Sequence, residues 1–150
     1  MIRDDHRDAI SELQATYDPA PVRIDNALIT IEGAVTAVTG MGNILSSRDR
    51  SAASVQARQL LMFCLSNEYI DGRKLTLREV GAVFKPPYKH GTVIHARQQI
   101  ENLYVYNADL KPLLDDIAGV LSRASLTGTI ERTNQLTIEH EAKAQKKTVN

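Results

Sequence analysis

Apolar residues recur three and four positions apart along most of this chain, the pattern of helices that each bury one face. Leu77, Val80, Val83 and Phe84 follow that spacing. Thr76-Leu77-Arg78-Glu79 opens the run as a capping box, in which the threonine hydroxyl accepts from the Glu79 amide and the glutamate reaches back. Val93, Ala96, Ile100 and Leu103 predict a helix from residue 90 to 104 or slightly beyond. Leu113, Leu114, Ile117, Val120 and Leu121 predict an amphipathic helix over 110–121. In residues 55–67, expected to be capped by Ser54, apolar side chains nearly encircle the helix, which suits a central element packed on several sides. Asp71-Gly72 marks a turn.

The flanks are less regular. Ile10, Leu13 and Tyr17 stand at helical spacing behind acidic residues, and Pro19 and Pro21 break the pattern after Tyr17. Residues 1–25 therefore read as a helical appendage with a proline-containing linker. Residues 26–38 are ambiguous, because Leu28, Ile29 and Ile31 have strand-like composition while the small residues after them suit a helix. A helix from about Ile31, ended by Gly40 and Gly42, is favoured. From Arg123 the chain turns polar and ends in lysines, so 123–150 reads as a weakly ordered tail, or a helix that orders only with a partner. Residues 26–122 form the body.

Within that body, AVFKPPYKHGTVIHARQQI (residues 82–100) joins one helix to the next through a proline pair and a basic, histidine-containing turn. The second helix carries Thr92, His95, Arg97 and Gln98 on one side and its apolar residues on the other. Helix, turn and a helix that starts on Lys, His and Thr is how proteins present side chains to the major groove of DNA. The expectation is an all-α, helix-turn-helix bundle. Gly81 costs roughly 1 kcal/mol relative to alanine inside a helix, so another helix is expected to cross closely there.

Composition narrows the function classes. Net charge is zero, which weighs against a nucleic-acid binder, but its distribution reverses that. Residues 46–99 hold nine basic side chains against four acidic ones, a local +5 balanced by −5 in the flanks. No apolar run is long enough for a membrane span and the N-terminus lacks a secretory pattern, so a cytoplasmic protein is expected. The single cysteine, Cys64, lies in an apolar block and reads as a buried structural thiol. GMGN at residues 40–43 is not a phosphate loop, since no Gly-Lys-Ser/Thr comes after it. His90 and His95 are five apart, not the four that pairs metal ligands on one helix face, and nothing pairs a nucleophile with a base. Neither metal, cofactor, nucleotide nor enzymatic activity is expected.

The residues also resemble a known family. Val80-Gly81-Ala82-Val83-Phe84, then Lys89-His90-Gly91-Thr92-Val93-Ile94-His95-Ala96, then Ile100-Glu101 are similar to the signature of the C-terminal DNA-binding domain of the bacterial replication initiator DnaA. Upstream, Arg58-Gln59, Thr76-Leu77-Arg78-Glu79-Val80-Gly81 and Ile44-Leu45-Ser46-Ser47 resemble further motifs of that domain. The likeness covers residues 44–103, is thin over 29–43 and is not seen elsewhere. It implies a Trp-repressor-like helical fold that reads duplex DNA in two grooves. Arg58 falls where the family places a minor-groove arginine, with Gln59 and Thr76 in matching motifs. His90, Gly91, Thr92 and His95 fall in the major-groove block.

The departures carry chemical consequences. Lys89 stands for the family's aspartate, so an acceptor for cytosine N4 becomes a donor suited to guanine O6 and N7. Gly91 replaces a threonine and its methyl group. Lys85 and Lys89 flank the turn and are expected to meet phosphates or bases. The resemblance implies double-stranded DNA as partner, in an accessory replication or regulatory factor without the initiator's ATPase and with an altered target. The alternative is a protein-interaction domain that docks a replication partner through the N-terminal helix or the tail.

Overall fold

The computed structural model describes residues 21–149, which form six helices and one two-stranded hairpin. The expected helix at residues 4–17 lies outside the described residues. Helix α1 spans Pro21–Thr39, ten residues earlier than the favoured start at Ile31. Pro21 sits in the first turn, where its missing N–H would have had no helical partner anyway. Leu28, Ile31, Ala34 and Val35 are buried at helical spacing, so the β-branched residues serve a helix whose face is set by packing. Gly40, with φ of +75°, ends it as expected.

Helix α2 (Ala52–Asn67) is the central element and packs against α1, α4 and α6. Its N-cap is Ser51 rather than Ser54: the Ser51 hydroxyl accepts from the Ser54 amide at 3.2 Å, and the Ser54 hydroxyl donates to Asp49 at 3.0 Å. Leu60, Leu61, Phe63 and Cys64 are fully buried, and burial pushes the Cys64 thiol up to about 12, which makes it inert. The Asp71-Gly72 turn closes a short hairpin, β1 (Tyr69–Ile70) and β2 (Arg73–Lys74), with both turn residues at positive φ. Two residues per strand left no alternating pattern to read.

Helices α3 (Leu77–Ala82), α4 (His90–Tyr106) and α5 (Leu110–Arg123) agree closely with the expected spans. The segment after Arg123, expected as a weakly ordered tail or a helix that orders only with a partner, forms a 22-residue helix, α6 (Gly128–Val149). It packs on α2, α4 and α5 through Thr129, Thr133 and Leu136. Threonine made this stripe look polar. The Thr133 hydroxyl satisfies itself on the Ile130 carbonyl at 3.0 Å, which leaves its methyl to pack.

What holds α6 in place is Glu68, just past the end of α2. Its carboxylate is completely buried and accepts from the first amides of α6, Gly128 at 2.9 Å and Thr129 at 2.8 Å. A negative charge at a helix N-terminus is favoured by the helix dipole as well as by the two hydrogen bonds. Gly128 is required here, since a Cβ would stand 2.9 Å from the Glu68 Cα. Among the described residues no helix is long and apolar enough to cross a membrane.

Glu68→Ala strands both amides in the interior at ~1–3 kcal/mol each. The expected result in chemical denaturation is a loss above ~2 kcal/mol, with faster amide exchange at Gly128 and Thr129. A change within about 0.5 kcal/mol, the range of ordinary surface substitutions, would show that the contact is not made.

Candidate nucleic-acid interface

The corner between α3 and α4 is built on a close backbone approach. After Ala82 the chain turns through residues 83–89, and the Tyr88 amide donates back to the Gly81 carbonyl at 3.0 Å. Any Cβ on Gly81 would collide with the Tyr88 carbonyl oxygen. The expected close neighbour at Gly81 is therefore the folded-back turn itself, with the Val93 side chain of α4 behind it. Phe84 is fully buried and meets the Tyr88 ring edge-on, with centroids 5.2 Å apart. The Lys85–Pro86 peptide is cis, and the Lys85 amide donates to the Leu45 carbonyl at 2.9 Å.

That last bond brings the loop before α2 against the turn. Arg48, in this loop, lays its guanidinium over the Tyr88 ring, 4.2 Å from the centroid, and donates to the Pro86 carbonyl. The loop is in turn organised by Arg58. This arginine is only 8% exposed, and its guanidinium donates to the Ser47 carbonyl at 3.3 Å and the Asp49 carbonyl at 2.8 Å. Arg58, which the resemblance places in a minor groove, is turned inward in this structure and binds loop backbone.

The other expected residues divide into two groups. Lys89, His90, Gly91 and Thr92 are exposed and line one open concavity together with Arg78 and Tyr88. His95 is exposed one turn further along α4. Lys85 is half-buried beside this corner. Gln59 is half-buried on α2, outside the concavity. Thr76 is engaged in the capping box: its hydroxyl accepts from the Glu79 amide at 3.1 Å, and its own amide donates to Glu79 at 2.8 Å. Arg48 and Tyr88 were not singled out from the sequence, because a loop arginine and a tyrosine 40 residues apart carry no local pattern.

Helix α4 begins with no side-chain cap and no acidic residue in its first turn. The positive end of its dipole therefore lies at the concavity with no acidic side chain of its own first turn to offset it. Acidic groups of the central segment are engaged elsewhere. Glu68 caps α6, and Glu79 forms a two-pronged pair with Arg73, both contacts at 2.8 Å. The Asp49 carboxylate accepts from the Ser51 amide and the Ser51 and Ser54 hydroxyls, which holds it below the usual carboxylate range. Arg78 and Lys89 at the corner are exposed. Among the described residues no cluster of His, Cys, Asp or Glu could hold a metal ion. Comparison with protein-family models, curated proteins and solved structures gives no match to this chain.

Gly81→Ala tests the geometry of the corner. Helix propensity favours alanine by up to about 1 kcal/mol, whereas forcing a methyl into backbone costs roughly 1–3 kcal/mol. A net loss of stability in denaturant is expected; a more stable variant would refute the close approach.

The Arg73 pair lowers the Glu79 carboxyl from its ordinary 4.5, so its stabilisation is complete above that value and lost as pH falls through the depressed one. The stability gap between the native chain and Glu79→Gln should be widest at neutral pH and close on acidification. A gap independent of pH would remove the ion pair as its source.

Proposed function

We propose that this chain binds double-stranded DNA sequence-specifically, with the α3–turn–α4 corner acting as a helix-turn-helix whose second helix enters the major groove. The observation that carries this reading is the exposed concavity at the uncapped start of α4, bordered by Arg78, Lys89, His90 and Thr92. Phosphate is suited to the helix dipole and the flanking cations, while Lys89, His90 and Thr92 offer donors and a methyl to base edges. The resemblance to the initiator's C-terminal domain supports the same assignment and suggests an accessory replication or regulatory role in the cytoplasm, without ATPase chemistry. With Arg58 turned inward, the exposed Arg50 of the loop that Arg58 organises is the arginine open to a minor groove.

A protein-docking role has its own supporting observation: Tyr106 and Ile138 are 72% and 65% exposed, away from the corner. The two readings separate in a mobility-shift titration on duplex DNA at several salt concentrations. On the DNA reading affinity falls steeply with salt. Lys89→Ala and His90→Ala each weaken specific binding by about 5- to 150-fold, the equivalent of one good base contact. Tyr106→Ala and Arg123→Ala leave it unchanged, and Arg58→Ala lowers thermal stability first. Absence of binding at low ionic strength overturns the proposal and leaves protein docking.

A further inference from the structure

Beyond the corner, the outward face of α4 continues for two more turns. Val93, Ala96, Ile100 and Tyr104 are buried, which fixes the helix rotation and turns Gly91, Ile94, His95 and Gln98 to solvent. Ile94 is a large aliphatic residue left 36% exposed on this polar face, and with Arg97, Gln98 and Glu101 it borders a second, shallow concavity. The charge of the Glu101 carboxylate is offset there by Arg132 of α6, which holds it through Nε at 3.1 Å and Nη2 at 3.0 Å.

We infer that Ile94 and Gln98 are specificity-determining residues that read nearby A·T pairs, an inference that rests on the DNA-binding reading above. Gly91, Ile94 and Gln98 are spaced three and four apart, which aligns them on one strip of the helix. From Gly91 to Gln98 the helix rises ~10 Å, close to three base steps of ~3.4 Å. Gly91 has nothing within 4 Å of where a Cβ would be, so the first turn can approach the groove floor by its backbone. That approach brings the longer Ile94 and Gln98 side chains within reach of base edges. The carboxamide of Gln98 matches adenine, with its oxygen accepting from N6 and its amine donating to N7. Ile94 offers only apolar surface, and in the major groove the one apolar base feature is the thymine methyl. Neither preference follows from Lys89 and His90, whose donors suit guanine.

Selection of bound sequences from a random duplex pool, with the full chain and with Gln98→Ala, Gln98→Glu and Ile94→Ala, tests this. The native chain should return a site with an adenine and a neighbouring thymine at fixed spacing from the Lys89-dependent position. Gln98→Ala should flatten the adenine preference by about 5- to 150-fold. Gln98→Glu should move it toward cytosine, whose N4 donates to a carboxylate. Ile94→Ala should relax the thymine alone. Circular dichroism of each variant reports folding, and both side chains are exposed. Identical selected sites from the native chain and all three variants would overturn the inference while leaving DNA binding intact. A native chain that enriches nothing and binds no duplex would refute the underlying reading, and the inference with it.

Discussion

A carboxylate with no contact to water sits where α2 ends, and it accepts from the first amides of a helix 60 residues later. Glu68 and the N-terminus of α6 each have strong reasons to be in water when apart. The charge would keep its hydration, and the helix would keep four unpaired amides. Together they satisfy one another in a dry environment, where the attraction is least screened. Gly128 allows this by giving up its side chain so that the two backbones can touch. The contact decides whether the C-terminal helix belongs to the body. Once α6 is docked there, Arg132 reaches Glu101 and α6 packs against α4.

A second network serves the front of the molecule. Arg58 gathers the loop between α1 and α2, that loop places Arg48 on the Tyr88 ring, and Tyr88 sits above Gly81 in the turn that launches α4. The helix that carries His90 and Thr92 is therefore aimed by residues spread over more than 40 positions of sequence. Side chains aimed by packed, bonded neighbours can meet a ligand without first being ordered, which lowers the entropic cost of binding. Charge is sorted by the same contacts. Glu68, Glu79 and Asp49 are engaged in caps and ion pairs, while the cations beside the concavity remain outward. A chain with zero net charge thereby acquires a basic face.

Much of this was legible in the residues. The helix starting at His90, the capping box at Thr76 and the central apolar helix all follow from spacing and from short motifs with a local mechanism. Where the sequence misled, the controlling interaction was remote. The start of α1 was hidden because Leu28, Ile29 and Ile31 suit a strand in composition, whereas in the fold Leu28 and Ile31 join the core with Leu114 and Ile117 and Ile29 faces solvent. Helix α6 was hidden because its stripe is made of threonines and its anchor is Glu68. Arg58 was given its minor-groove role from its motif and its place near a helix N-terminal end, and its bonds to the carbonyls of Ser47 and Asp49 come only from the fold. For the site, the cluster from Lys89 to Thr92 was contiguous and therefore visible, whereas Arg48 and Tyr88 meet only through folding.

The pairing of α4 with α6 has a directional result. Arg132 meets Glu101 and His140 meets the Tyr106 ring, so both helices ascend in the same sense. His90 and Tyr106 are separated by ~24 Å of helix, and residues 141–146 extend past Tyr106 with their side chains exposed. Architecturally the molecule has two poles, one where α4 begins and one where α6 departs. A fluorophore, surface tether or fused domain attached at the second pole would stand off the first by about the length of α4.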